Sequence, residues 1–511
     1  MDCKIISVSE RKVGAVLTYI NIFLNTLIML FYTPFLIKSL GQSEFGLYSL
    51  ALSIMNYLVI LDLGFGNAVV VFTSKFLAKN EQEKQNILYG TVFVTYLFMS
   101  CIACIIGIIF YINIDNIFQN SMTVYEVKTL KIITCILIFN IVISIPVNIF
   151  ISILNAYEKF IFNKTMSILR SALTPLASTI VILCGYKSVE MILTITLLNL
   201  FYFFTIFIYY KKHINIPINI SKFNHKALKV VFNYSVFIFI GMIVDQINWN
   251  SGQFIIGAFL GAEEISVFAI SILINSMFMV LSTAISGVFL PKISQMVAKN
   301  TSNSILTKEM IKIGRLQGYI IFLVLFGFVL FGEEFIKLWA GKEYIDTYLL
   351  TLIIMIPLSI PLIQNLGLSI MQAKNKYQFK AISTLIGSFF TIILSVYTVK
   401  IYGYFGVAFS VAIMFLLVNG LCINWYYYKK IGINIVQFWK EILKIIIPQF
   451  FVFFIFFILL GYVSFNGLFV FILKILLFSF FYITICFKFC FNDYEKEIFL
   501  SLLVKIKKRT L

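Results

Sequence analysis

Apolar runs of about 20 residues recur along the chain, separated by short polar stretches. About 20 apolar residues is the helical length that crosses a hydrocarbon core of about 30 Å. The pattern predicts fourteen spans, at 13–36, 45–71, 87–111, 129–154, 164–185, 189–210, 229–257, 265–289, 313–332, 347–371, 379–399, 404–428, 441–461 and 466–490. Strict alternation over about ten residues, the mark of a membrane barrel strand, is absent. The expected fold is an all-α polytopic membrane protein. The first apolar segment is too long for a signal sequence and has no small-residue cleavage site, so it is expected to stay as a span.

Part of the pattern is repeated. Leu40-Gly41-Gln42-Ser43-Glu44-Phe45-Gly46-Leu47-Tyr48-Ser49-Leu50 returns at a shift of 220 as Leu260-Gly261-Ala262-Glu263-Glu264-Ile265-Ser266-Val267-Phe268-Ala269-Ile270. At the same shift Ala78-Lys79-Asn80 falls on Ala298-Lys299-Asn300. This is the signature of a diverged internal duplication. In a membrane chain it points to a transporter of two lobes with its site between them. The expected division is an N-lobe at 1–211, a cytoplasmic linker at 212–228, a C-lobe at 229–430, and an extra helix pair with a basic tail at 431–511. Six spans per lobe is an even number. The lobes should therefore share one orientation and be related by a pseudo-two-fold axis along the membrane normal.

Composition agrees: 61% of residues are hydrophobic and 12% charged, against about 25% charged in a soluble domain. Cytoplasmic loops collect Lys and Arg. Taking alternate connections, 31 of the 40 basic residues fall on the side of the N-terminus. Both termini are thus expected in the cytoplasm. The net charge of +18 is then a topology signal plus attraction to anionic lipid, and no nucleic-acid partner is implied. Cys101, Cys104, Cys135, Cys184 and Cys422 lie inside apolar helices, and Cys101-x-x-Cys104 has no second pair at zinc spacing. His213 and His225 share one basic loop. No metal or cofactor is expected. The longest outer loops, about 112–128 and 333–346, carry neither a nucleophile set nor room for a catalytic domain, so the chain is not expected to be an enzyme.

Ionisable groups inside a span cost about 2.5–3.5 kcal/mol near the helix centre. Four are placed deep: Asp62, Arg170, Asp245 and Lys474. Asp62, beside Gly64 and Gly66, is either a local cap at a kink or a cation-linked carboxylate. Asp245, in Asp245-Gln246-Ile247-Asn248-Trp249-Asn250, falls on Asn25 at the repeat shift. The two are either polar glue between helices or the walls of a wet cavity. Arg170 either snorkels or faces an anion. Lys474 lines a groove or pairs with lipid phosphate. Arg315 opens the ninth span. Gln364 and Asn365 lie between Pro361 and Gly367, the kind of broken helix that lines a transport path.

Several short pieces occur together. They are Pro34 to Gly41 with Glu44-Phe45-Gly46-Leu47-Tyr48, Leu61-Asp62-Leu63-Gly64, Asp245 with Ile256-Gly257-Ala258-Phe259-Leu260-Gly261, Phe289-Leu290-Pro291-Lys292-Ile293-Ser294, Leu338-Trp339-Ala340-Gly341-Lys342-Glu343-Tyr344 and Gly403-Tyr404-Phe405-Gly406-Val407-Ala408. In this the chain resembles the polysaccharide-export branch of the multidrug/oligosaccharidyl-lipid/polysaccharide exporter superfamily, the Wzx-type O-antigen flippases. The resemblance implies two six-helix lobes around a central cavity, working by alternating access in the bacterial plasma membrane. It implies transport of an undecaprenyl-diphosphate-linked oligosaccharide from the inner to the outer leaflet, with a last helix pair that holds the lipid tail. A polysaccharide polymerase and chain-length machinery are the partners such a cargo implies. A diphosphate needs cations, and Arg170, Arg315, Lys474 and Lys38 are the candidates, with Gln364 and Asn365 on the path. Asp62, Asp245 and Asn25 are the candidates for ion coupling. The drug/cation antiporters of the same superfamily, which usually have twelve spans, are the alternative.

Overall fold

A computed structural model describes residues 2–214, 216, 218–460 and 467–497. Lys505, Lys507, Lys508 and Arg509 of the basic tail, residues 215 and 217 of the linker, and the side chains of Lys4, Arg11 and Lys12 lie outside what is described.

Among the described residues the chain is helix after helix. In order these are α1 (Asp2–Val59), α2 (Phe65–Ala78), α3 (Gln82–Phe118), α4 (Val124–Ala156), α5 (Phe160–Leu183), α6 (Ser188–His213), α7 (His225–Phe259) and α8 (Ala262–Ala298). There follow α9 (Asn303–Trp339), α10 (Thr347–Ile363), α11 (Asn365–Ala373), α12 (Gln378–Met414), α13 (Ile423–Tyr426), α14 (Ile435–Leu460) and α15 (Leu468–Ile485). Among the described residues ten helices are long and apolar enough to cross a membrane, or twelve if each of two bent pairs is one span. Two of the ten, Ile20–Ala78 and Gln378–Ile431, run for 59 and 54 residues. At about 1.5 Å per residue each would be more than twice the depth of a hydrocarbon core. Each is in fact two helices joined at a glycine whose backbone leaves the helical region, Gly41 (φ 78°) and Gly403 (φ 57°). With these counted as halves, every predicted span has its helix.

The duplication extends to the backbone of the joints. Gly41 and Gly261 both take positive φ, and so do Asn80 and Asn300, at 54° and 53°. Two further pairs follow, Glu158 with Asn375 and Gly185 with Gly403. At Asn80, Asn300, Glu158 and Asn375 the same two hydrogen bonds close the helix end. In the first, Asn80 N–H donates to Leu77 C=O and Glu81 N–H to Phe76 C=O. In the second, Asn300 N–H donates to Val297 C=O and Thr301 N–H to Met296 C=O. This is the Schellman arrangement, which satisfies carbonyls that a helix end leaves orphaned. The helices that follow Asn80 and Asn300, α3 and α9, are both 37 residues long.

The described chain divides into two compact units. One holds Met1–Ala269 with Val396–Tyr404, the other Ile270–Ser395 with Phe405–Leu511. The first has a core in which Phe65, Tyr89, Tyr96, Ile145, Ile149 and Ile153 are almost fully buried. The repeated motif has a clear local purpose there. Glu44 is 5% exposed, and its carboxylate accepts from the hydroxyls of Tyr125 (2.8 Å) and Ser188. It thereby ties the second half of α1 to the starts of α4 and α6. Gly46 meets the backbone of Ala262, and a Cβ at position 46 would collide with the Ala262 carbonyl oxygen. Gly46→Val should therefore shift or unfold this joint. The expected result is a lower yield of monodisperse protein on size-exclusion chromatography, whereas Gly241→Ala, where a Cβ meets open space, should be tolerated.

Candidate functional site

Span two is broken where Asp62 lies. The α1 helix gives way to a single 3-10 turn, Ile60–Asp62. Leu63 (φ 54°) and Gly64 (φ 69°) are both left-handed before α2 begins. A left-handed leucine is costly and persists where its surroundings fix it. Here Leu63 is buried in the unit's core, and the Ser235 hydroxyl of α7 donates to Gly64 C=O. The break leaves the Asp62 carboxylate pointing at α4, where the Asn148 amide donates to it at 3.5 Å. Around Gly66, which has no side chain to fill the space, the Ser152 and Tyr96 hydroxyls and Asp62 Oδ2 converge. The group comprises one carboxylate, one amide and two hydroxyls. Asp62 stood out in the sequence. Tyr96, Asn148 and Ser152 did not, because each is an ordinary residue for a helix–helix contact when met alone.

The second unit contains the counterpart of this node. Ser282 falls on Asp62 at the shift of 220, and Gln317 and Asn365 fall on Tyr96 and Asn148 at shifts of 221 and 217. Ser282 Oγ accepts from both Gln317 and Asn365, at 3.2 Å each, and donates to Leu362 C=O at 2.6 Å. Here the broken element is the tenth span. Its two pieces, α10 and α11, meet at Gln364 with a bend of 44°, after Pro357 and Pro361. Gln364 donates to Asn424 at 2.5 Å. A polar node at the break is thus built twice, once around a carboxylate and once around the Ser282 hydroxyl with two amides.

The candidate cations fall into two kinds. Arg315 is buried in a bidentate pair with Glu495, at 2.7 and 2.9 Å. It also donates to Tyr319 and to the carbonyl of Cys490. Lys474 pairs with Glu334 at 3.1 Å. Arg170 is half-buried on α5 with its guanidinium 5.3 Å from the Tyr202 ring, and no carboxylate among the described residues pairs with it. Lys38 is exposed just before the Gly41 kink. Glu495, the partner that occupies Arg315, follows the last span and gave no signal in the sequence.

Asn25 is exposed and spends its amide on its own helix, donating to the carbonyl and side chain of Asn21. Asp245 is also exposed, on α7. Its neighbours make a polar seam with span two: Asn56 donates to Asn250 at 3.3 Å, Asn250 to Gln246 at 2.5 Å, and Ser53 to Gln253. In the second unit, α9 and α15 line an open groove of about 330 Å³. It is lined by Leu323, Gly327, Phe331, Phe335, Phe471 and Phe478 among others, and is almost wholly apolar. Lys474 and Glu334, the ion pair described above, belong to the same two helices.

The profile of a family described as "Polysaccharide biosynthesis protein" (Polysacc_synt_3) matches residues 36–349, well over half of the chain. The chain belongs to this family. A Shigella flexneri protein named "Putative O-antigen transporter" is 23% identical over 423 residues, covering 80% of this chain and 95% of that one. Among solved structures, "Lipid II flippase MurJ, inward closed conformation" superposes with a TM-score of 0.71 at 17% identity, over 96% of this chain and 99% of that one. An inward-facing multidrug resistance transporter of the MATE family, MOP superfamily, gives a TM-score of 0.64 at 13% identity, over 80% and 96%. The fold is that of these transporters, and this family member is a multi-pass membrane protein.

Proposed function

We propose that this family member is a flippase for a lipid-linked oligosaccharide, moving an undecaprenyl-diphosphate-linked repeat unit from the inner to the outer leaflet of the bacterial plasma membrane. The observation that carries this reading is the groove between α9 and α15. It is an apolar groove of about 330 Å³, lined by Phe, Leu and Gly, and built partly by a helix that lies beyond the repeated spans. A soluble drug has no need of it, whereas a polyprenyl tail does. The Shigella relative's name and the family description support the same cargo class. The bias of Lys and Arg puts both termini in the cytoplasm.

A diphosphate with several sugars cannot cross hydrocarbon unaided. Arg170, a cation inside a span that stacks on Tyr202 and pairs with no carboxylate among the described residues, is the best placed to meet the phosphates. Arg315 and Lys474 are held in their ion pairs and act on the fold and the groove. The Asp62 node supplies the coupling site, since a lone carboxylate among an amide and two hydroxyls can take up and release a proton or small cation. The feeding of O-antigen or another surface polymer follows from the cargo. Deleting the chain should strand lipid-linked repeat units on the cytoplasmic leaflet and strip the polymer from the surface. A deletion strain with no second flippase that still displays normal surface polysaccharide contradicts the proposal. Altered sensitivity to cationic dyes with normal polysaccharide is the result a drug antiporter would give.

A further inference from the structure

The first unit holds a polar pocket that the transport cycle above does not use. It has a volume of about 210 Å³ and lies where α2 turns into α3. Four amide side chains line it, those of Asn80, Gln82, Gln85 and Asn86. Gln82, Gln85 and Asn86 stand at i, i+3 and i+4, so one face of α3 supplies three of them. Gln85 is 2% exposed. Its Oε1 accepts from the Tyr157 hydroxyl at 3.3 Å, and its NH₂ group donates to no described residue. The side chains of Asn80, Gln82 and Asn86 likewise bond to no described residue. A buried amide left half-used costs free energy unless something polar meets it. The fold does not ask for an amide here. The helices α3 and α9 begin 221 residues apart, and at that shift from Gln85 stands Leu306, fully buried. The rest of the wall comes from Leu77, Tyr157 and Ile216, and the Tyr210 hydroxyl donates to Ile216 C=O and fixes it.

We infer that this pocket takes one neutral sugar ring of the cargo at the cytoplasmic end of the first unit, and so helps to set which oligosaccharide is accepted. No charged side chain lines it, so an ionic ligand would find no partner there. A sugar hydroxyl both donates and accepts, and a primary amide answers it with two donors and an acceptor oxygen. Leu77, Ile216 and the body of Tyr157 offer apolar surface to the C–H groups of a pyranose. The volume equals that of about seven waters at about 30 Å³ each, room for one ring and not for two. The bias of Lys and Arg puts this end of α2 and α3 in the cytoplasm, on the side from which the lipid-linked unit is offered. The assignment rests on the lipid-linked oligosaccharide reading.

The test uses the full chain in nanodiscs. The probe is the tritiated oligosaccharide freed by mild acid from the host strain's own lipid-linked pool, and binding is read by equilibrium dialysis. It should bind saturably. Gln85→Leu, which copies the second unit's Leu306, should weaken binding about fivefold or more, the effect of losing a hydrogen bond or two, with the melting temperature unchanged. Asn86→Ala removes a side chain that bonds to nothing in the fold, and it should weaken binding as well, so the site stays testable should Gln85→Leu fold poorly. In transport assays both changes should raise the KM for cargo and leave kcat in place. Oligosaccharide binding that neither variant weakens overturns the site, as does a lack of saturable binding to the unaltered chain, which would leave the pocket to water. Binding of sugar nucleotides built from the same monosaccharides, with none of the oligosaccharide, overturns the assignment to the cargo. Intact sugar binding with no transport by the unaltered chain would sink the flippase reading instead and leave a sugar site in place.

Discussion

Arg315→Met should be among the most destabilising single changes in the second unit. Glu495 is 2% exposed, and the substitution leaves its carboxylate buried beside Tyr319 without its charge partner. Breaking a buried pair from one side typically costs about 3–5 kcal/mol. The loss is larger than one contact because Arg315 also holds the Cys490 carbonyl at 2.7 Å, while Glu495 accepts from Asn492 N–H at 2.9 Å. The pair fastens the segment after α15 to α9. The measurement is the apparent melting temperature by size-exclusion chromatography of the solubilised protein. Arg315→Met should lower it strongly, and the double replacement Arg315→Met with Glu495→Met should recover much of the loss, since a buried pair exchanged for apolar groups of similar volume is often neutral. A double variant no better than the single one would show that the charges act independently.

Asp62→Asn should have the opposite profile, with the fold intact and transport lost. The duplicated node gives the reason to expect a sound fold. The second unit has Ser282 at the same place, bonded to Gln317 and Asn365, so a neutral group fits this plan of helices. An amide at position 62 can still meet Asn148, but it cannot take up and release a proton or attract a cation. The cargo transport rate should fall at least tenfold, a loss that general-acid and charge-binding groups commonly show, with yield and melting unchanged. Asp62→Glu should retain part of the rate. Full transport by Asp62→Asn would remove the carboxylate from the mechanism.

The helical plan was legible because it rests on length and hydropathy alone. About 20 apolar residues have few alternatives to a span once the bilayer is the solvent. The shift of 220 between Gly41 and Gly261 was legible too, since a joint needs positive φ and Gly or Asn supplies it cheaply. The pairing of Glu158 with Asn375 was hidden, because neither residue announces a left-handed turn and the shift there has changed. The site was half legible. Asp62 is costly in a membrane and therefore conspicuous. Tyr96, Asn148 and Ser152 become partners only through the packing of α2, α3 and α4. Arg315 and Lys474 looked like cavity cations because sequence shows the charge of a residue but not its neighbour. Glu495 and Glu334 neutralise them, one from the segment after the last span and the other from 19 residues further along α9.

The most direct test of the account is translocation by the purified full chain. Proteoliposomes would carry an undecaprenyl-diphosphate-linked oligosaccharide with a fluorophore on its sugar, and a membrane-impermeant quencher would be added outside. The account predicts that quenching passes well beyond the outer-leaflet pool seen in protein-free vesicles. It also predicts that the Asp62→Asn protein, reconstituted to the same density, stops near that pool. Quenching limited to the outer leaflet with the unaltered protein, under both a proton and a sodium gradient, would contradict it.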